Sequence, residues 1–513
     1  MTAETGTGQN QPTAMPWANL LALLIGAFMA FLSSSIVSVA IPKMMAIFGV
    51  GTDTIQWVLT AYLLAAGVMI PITGFLGDRV GLKNLYILSL LVFTAGSTIC
   101  SLSPNEKVLI AGRVIQAVGG GAIMPVTTAF VYLLVPREKI GTALGIRGIA
   151  MAMAPAFGPA LGGFLIDRYD WHIIFLLNIP LGLLSILMAL LLLPKTRAAG
   201  NLKLDVAGFL LAAAGSFTLL LGLSQGQDKG WGSYYIVMLL VTGFFALLLF
   251  ALWESTRSEP LLDLSLFRNK IFTASIISTV LVTVAMYASV YLTPIFVQNL
   301  LGYSPFKAGI LMIPAALAMG VITPFSGRLF DRFGAIPLCL TGMPFLALAT
   351  YQLSKVNLNT SYHHLQFLLA IRSLSMGIFM LPVTAAGLNT VPRSLINRAT
   401  ALNSLVRQIA GAVGVAFYTY LLNTRDTYHY DTISWGVTWL KPLTANVIAK
   451  LQAVMQSHPT GAIAGARAAA LTIIALLVKQ QAMTRAVDDC FLISVGITVV
   501  SIPVVFFLKT RDA

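Results

Sequence analysis

The sequence predicts an all-α, polytopic membrane protein, and three observations carry that prediction. Of 513 residues, 57% are hydrophobic and 10% charged, and the mean hydropathy is +0.85, far from the balance of domains that fold in water. The apolar residues come in blocks that match the roughly 20 residues needed to cross a bilayer. Lysine and arginine concentrate in alternate connections between those blocks. A water-soluble enzyme is excluded on composition. The blocks are also too long for barrel strands, whose signal alternates over about 10 residues.

Taken in order, the blocks lie at 17–42, 55–76, 84–103, 108–133, 141–166, 172–194, 205–224, 233–254, 271–298, 306–326, 334–354, 365–390, 398–422 and 487–508, which predicts fourteen spans. The 43 glycines and 23 prolines within and between them suit a closely packed bundle, because neighbouring helices re-satisfy freed backbone groups and small residues admit close approach. Segment 1–16 carries one charge, Glu4, and lacks the basic start of a secretory leader, so the first helix is expected to be retained. Cys100, Cys339 and Cys490 lie in or beside apolar blocks without pair spacing and read as core residues; no metal site and no cofactor is expected.

With the amino terminus in the cytoplasm, inward connections and tail hold sixteen basic residues and short outward connections six. That asymmetry fixes the orientation and puts both termini inside. It also accounts for most of the net charge of +14, so nucleic acid is not an expected partner. Segment 423–486 is the one sizeable stretch expected outside the membrane. Its apolar run Ala468–Val478 is too short to span and reads as a helix lying on the outer leaflet. Asp488 and Asp489 then open the last span and cap it.

An internal repeat organises the chain. Gly74-x3-Asp78-Arg79-x-Gly81 follows the second span, and Gly327-x3-Asp331-Arg332-x-Gly334 follows the tenth. Arg113 and Arg372, early in spans 4 and 12, and Pro136 and Pro392, ahead of spans 5 and 13, repeat with them. Two six-span halves separated by two inserted spans satisfy these offsets. The division is therefore a tail 1–16, a six-helix bundle 17–194, an inserted pair 205–254, a second six-helix bundle 271–508 containing segment 423–486, and a tail 509–513. Repeats of this kind mark secondary transporters, whose binding site lies between the halves.

At these residues the chain resembles the major facilitator superfamily, and its 6+2+6 plan is similar to the fourteen-span drug:proton antiporters of the EmrB/QacA type. Gly74 to Lys83 is similar to the superfamily's loop motif, Arg113 to Gln116 to its span-4 motif, and Ala154-Pro155-Ala-Phe-Gly158-Pro159-Ala-Leu-Gly162-Gly163 to the span-5 motif of exporters. The resemblance implies the major facilitator fold and proton-coupled export of small amphipathic compounds from a bacterial cell by alternating access. Its implied partners are the substrate, protons and the bilayer, with a periplasmic adaptor left open. The chain departs from the subgroup at Ser33, which holds a position that typically carries an acidic residue, and no Asp or Glu is expected mid-membrane.

The residues themselves suggest three groups. Gly74, Asp78, Arg79, Gly81, Asp331 and Arg332 are placed to latch helix ends on the cytoplasmic side. Pro155, Gly158, Pro159, Gly162 and Gly163 break or thin helix 5 and, on the resemblance, act as a gate. Arg113, Gln116, Arg147, Asn403 and Arg407, with Ser33, are polar positions inside spans and are expected to face a cavity, since charge at that depth is costly, Arg113 reading equally as a hydrogen-bonding hub to carbonyls of adjacent helices. An arginine cavity without a carboxylate favours an anionic or zwitterionic lipid-like amphiphile as the alternative substrate class. A lipid enzyme and an uncoupled channel or scramblase are further readings. The enzyme finds no buried His or carboxylate constellation, and no Gly-x4-Gly-Lys-Ser/Thr sequence supports ATP drive.

Overall fold

The computed structural model describes residues 15–196, 198, 204–257, 259–437, 442–456 and 463–509, and their regular structure is helical throughout. The first half contains α1 (Trp17–Phe48), the one-turn α2 (Thr52–Ile55), α3 (Trp57–Val80), α4 (Leu82–Ser101), α5 (Glu106–Leu134), α6 (Ile140–Arg168), the one-turn α7 (Ile173–Leu176) and α8 (Asn178–Leu192). A pair, α9 (Val206–Lys229) and α10 (Tyr234–Ser255), follows. The second half contains α11 (Lys270–Ile295), α12 (Pro305–Phe333), α13 (Ala335–Leu353), α14 (Tyr362–Asn389), α15 (Ile396–Gly436), α16 (Pro442–Gln456) and α17 (Ile463–Val505).

Among the described residues, thirteen helices are long and apolar enough to cross a membrane. The fourteen expected spans add α6, a continuous helix of 29 residues packed against α1 and α12. Local sequence explains where helices begin. Asn105, Asp205, Ser233, Ser304 and Ser361 each accept a hydrogen bond from a backbone N–H in the first turn of the helix that follows. Prolines such as Pro71, Pro125 and Pro382 sit inside helices that continue through them, and one π-helical turn, Phe296–Leu300, follows Pro294.

Two expectations change around segment 423–486. The helix that carries span 13 does not stop near residue 422 but runs 41 residues to Gly436, and α17 begins at Ile463 and runs 43 residues. The apolar run Ala468–Val478 is therefore the first part of the last spanning helix, not a separate surface helix. No glycine or proline interrupts residues 463 to 495 except Gly465, close to the start, so nothing ends the helix. Asp488 and Asp489 lie inside α17 and cap nothing; Asp489 instead pairs with Arg425 and His429 of α15, each at 2.7 Å. The short helix α16 packs on α17.

The packing follows the repeat. The halves meet where α6 lies along α12 and α3 along α15. The α9–α10 pair leans its first helix on α3 and α15, with Leu220 and Leu221 packed on Leu64. Helix α10 turns Phe244, Phe245 and Leu252 outward, as a lipid-facing helix must. In each half a one-turn 3₁₀ helix, Arg137–Lys139 or Arg393–Leu395, follows the equivalent proline and leads into α6 or α15.

Candidate functional site

Each half closes on the other through one carboxylate. Asp78, at the end of α3, accepts from Asn397 Nδ2 at 2.6 Å and from Arg398 Nε at 3.1 Å, both on the first turn of α15. Asp331, near the end of α12, accepts from the Gly141 and Thr142 backbone N–H groups at 2.7 and 2.8 Å and from the Thr142 hydroxyl at 2.6 Å. The two contacts are equivalent in the repeat, so the halves exchange crossed latches at one end of the bundle. They differ in chemistry. One is an ion pair with a side-chain amide, and the other caps the exposed N–H groups of a helix start, where a carboxylate is favoured.

Glycine makes the close approach available. A Cβ at Gly74 would stand 2.9 Å from the Arg398 Cα, and one at Gly327 would run into the Gly141 carbonyl. Gly81 (φ 83°) and Gly334 (φ 75°) adopt left-handed turns that side chains disfavour. The arginines expected in the latch are placed otherwise: Arg79 and Arg332 are exposed, Arg332 lying 5.2 Å over the Phe333 ring. Their neighbouring aspartates point across the interface, so successive residues at the helix end face opposite ways, and the cation that completes the first latch is Arg398.

Arg113, Gln116 and Ser33 come together, but inside one half. Arg113 Nε donates to the Val58 carbonyl at 3.0 Å and a terminal nitrogen to Gln116 Oε1 at 2.6 Å, with the guanidinium 4.1 Å over Tyr62. Gln116 in turn donates to Ser97 Oγ at 2.6 Å and Ser33 Oγ at 3.1 Å, and Asn178 reaches Ser33 at 3.4 Å. Arg113 is 1% exposed and the other two 0%. The face expected to line a cavity is thus a closed network joining five helices, α1, α3, α4, α5 and α8. Arg372 repeats it in the second half, donating to Thr350 and the Ala285 carbonyl at 3.3 and 3.2 Å. Asn403 is also buried, at 8% exposure.

Arg147 and Arg407 remain half-buried and are electrostatic neighbours across the interface between halves. Nε and one terminal nitrogen of Arg147 are buried without a hydrogen-bond partner. The glycines of the expected gate also fall differently. Helix α6 is unbroken, Gly158 and Gly162 pack on Ser35 and Ile36 of α1 within the same half, and Gly163 faces open space. The side chains of Pro155 and Pro159 lie outside the described residues. The glycines of α6 that meet the other half are Gly141, Gly145 and Gly148, against Gly327, Thr323 and Pro324. Sequence reading missed them, although their three- and four-residue spacing is a small-residue helix face.

The Major Facilitator Superfamily profile matches residues 23–415. An uncharacterized MFS-type transporter of Bacillus subtilis, YhcA, is 36% identical over 428 residues, covering 83% of this chain and 80% of the relative. The chain belongs to the major facilitator superfamily. The transporter is also similar to a multidrug resistance protein B homolog of Mycobacterium tuberculosis, 32% identical over 412 residues, 80% of this chain and 76% of that one. Its fold is that of the human organic anion transporter MFSD10, at a TM-score of 0.62 and 12% identity, covering 97% of this chain and 100% of the other. It is a multi-pass transporter of the plasma membrane and not an enzyme.

Proposed function

We propose that the transporter exports small amphipathic compounds by proton-coupled antiport, alternating between states in which one or the other end of the bundle is closed. The observation that carries this reading is the pair of crossed latches. Among the described residues they fasten the halves at the end bearing the repeat motif, while beyond them the halves share one long hydrogen bond, from Gln408 Nε2 to the Leu63 carbonyl at 3.5 Å. Two equivalent contacts that break and form together are the bistable element alternating access requires. The positive-inside bias supports placing the latched end in the cytoplasm, with both termini, which makes this the outward-facing arrangement. Contacts within the two bundles support the 6+2+6 division, with α9 laid against α3 and α15 and α10 packed on α9. The relative named as a multidrug resistance protein supports export.

The test is uptake of radiolabelled dodecyltrimethylammonium and dodecyl phosphate into proteoliposomes made acidic inside. Gradient-dependent accumulation, lost on adding a protonophore and lost in Asp78→Asn/Asp331→Asn, is the expected result. Flux indifferent to the gradient would replace antiport with an uncoupled pathway. The anionic, lipid-like substrate class is favoured by the Arg147–Arg407 pair, which no ion pair among the described residues balances.

A further inference from the structure

We propose that Arg147 and Arg407 form a binding site for the compact anionic headgroup of an amphiphile, carboxylate or phosphate in kind. The proposal rests on reading the space between the halves as the transport path. Arg147 lies about two turns into α6 and Arg407 about three turns into α15, so the pair sits beyond the latches on the side away from the motif loops. Arg147 has Arg407 and Tyr132 as electrostatic neighbours, and Arg407 has Tyr287. The Tyr132 hydroxyl, like the Arg147 nitrogens, is buried and unpartnered. None of the ion pairs among the described residues includes either arginine. Asp331 interacts electrostatically with Tyr132, but both its oxygens are committed to Gly141 and Thr142.

The other two intramembrane arginines show that this is not how the fold ordinarily treats the residue. Arg113 and Arg372 sit at 1% and 5% exposure with carbonyls and side-chain oxygens on their donors. Leaving desolvated donors unmatched and two like charges adjacent is costly. An anion relieves both costs, and a guanidinium fork matches carboxylate and phosphate oxygens. Half-buried Met151 and Met153 on α6, Met286 on α11 and Met319 on α12 lie on the helices around the pair, and flexible thioethers adapt to an apolar tail.

The test measures binding to the full-length transporter in phosphatidylcholine nanodiscs, by calorimetry and thermal shift. The probes are dodecyl phosphate, dodecyltrimethylammonium and inorganic phosphate, each below any micellar concentration. Dodecyl phosphate should bind at least about tenfold more tightly than the other two, and Arg147→Gln and Arg407→Gln should each remove about tenfold. Arg407→Lys, which keeps the charge and the fold but not the fork, should fall between. Equal binding of the two amphiphiles, an equal response to inorganic phosphate, or affinity unchanged in the arginine variants would overturn the site. Arginine-dependent binding without gradient-driven movement would instead leave the site standing and remove the export reading.

Discussion

Arg113 and Arg147 have the same side chain, each about two turns into its helix, and opposite surroundings. The first is saturated by Val58, Gln116 and Tyr62, and the second has buried donors with nothing to bond. Substituting them should therefore have opposite consequences. Arg113→Met strands the Gln116 Oε1 acceptor inside the first half, at roughly 1–3 kcal/mol, removes the second hydrogen bond of the Val58 carbonyl, and should lower the thermal midpoint without changing headgroup preference. Arg147→Gln removes an unbalanced charge and should leave the midpoint unchanged or higher while weakening anion binding; a thermal shift series with and without dodecyl phosphate separates the two. Sequence alone gives the depth of these residues, because position within an apolar block fixes it. It does not give direction, which depends on the rotation of each helix against its neighbours. That is why Arg113, Gln116 and Ser33 were expected on a cavity wall and lie in a closed network. The serine at the position where the subgroup carries an acid belongs to that network, as acceptor for Gln116 and Asn178.

At the scale of elements, α6 and α12 form the closest contact between halves, and glycine sets its distance. A Cβ at Gly145 would meet the Thr323 carbonyl at 2.7 Å and the Pro324 Cα at 2.9 Å, both backbone atoms that cannot rotate away. Gly145→Ala should therefore force the helices apart, at a cost of about 1–3 kcal/mol for overpacking, and reduce the initial rate of transport severalfold. Gly163→Ala, facing open space, should transport at the parent rate; loss in both or in neither would show that helix separation is not what matters. The repeat was legible to the residue, since matching prolines, glycines and aspartates fall at matching places in both halves. Which glycine face of α6 meets the partner half was not, because Gly141, Gly145 and Gly148 compete with Gly158, Gly162 and Gly163 on one helix, and both sets have small-residue spacing. The length of α15 and α17 beyond the membrane was also obscured. Helix α15 passes from apolar to polar beyond residue 422, and α17 carries a polar stretch, 479–489, between two apolar ones, in both cases without a breaker, and composition does not mark where a helix ends.

For the whole molecule, the latches make one state of the bundle depend on two carboxylates placed identically in the repeat. Arg398→Gln, which leaves Asn397 and the Asp331 contact in place, should weaken the closed end partially and slow transport less than the double aspartate change; equal loss in both would mean that the latches do not share the load. The most direct test labels Arg79→Cys and Arg332→Cys with spin probes, one exposed position per half beside each latch, in a chain whose own three cysteines are buried. Distances between the probes are then measured in nanodiscs by pulsed electron resonance. The parent should give one dominant short distance, and Asp78→Asn/Asp331→Asn should move a large share of molecules to a longer one as that end opens. An unchanged distribution in the double variant would contradict the claim that the crossed aspartates hold the transporter closed on that side.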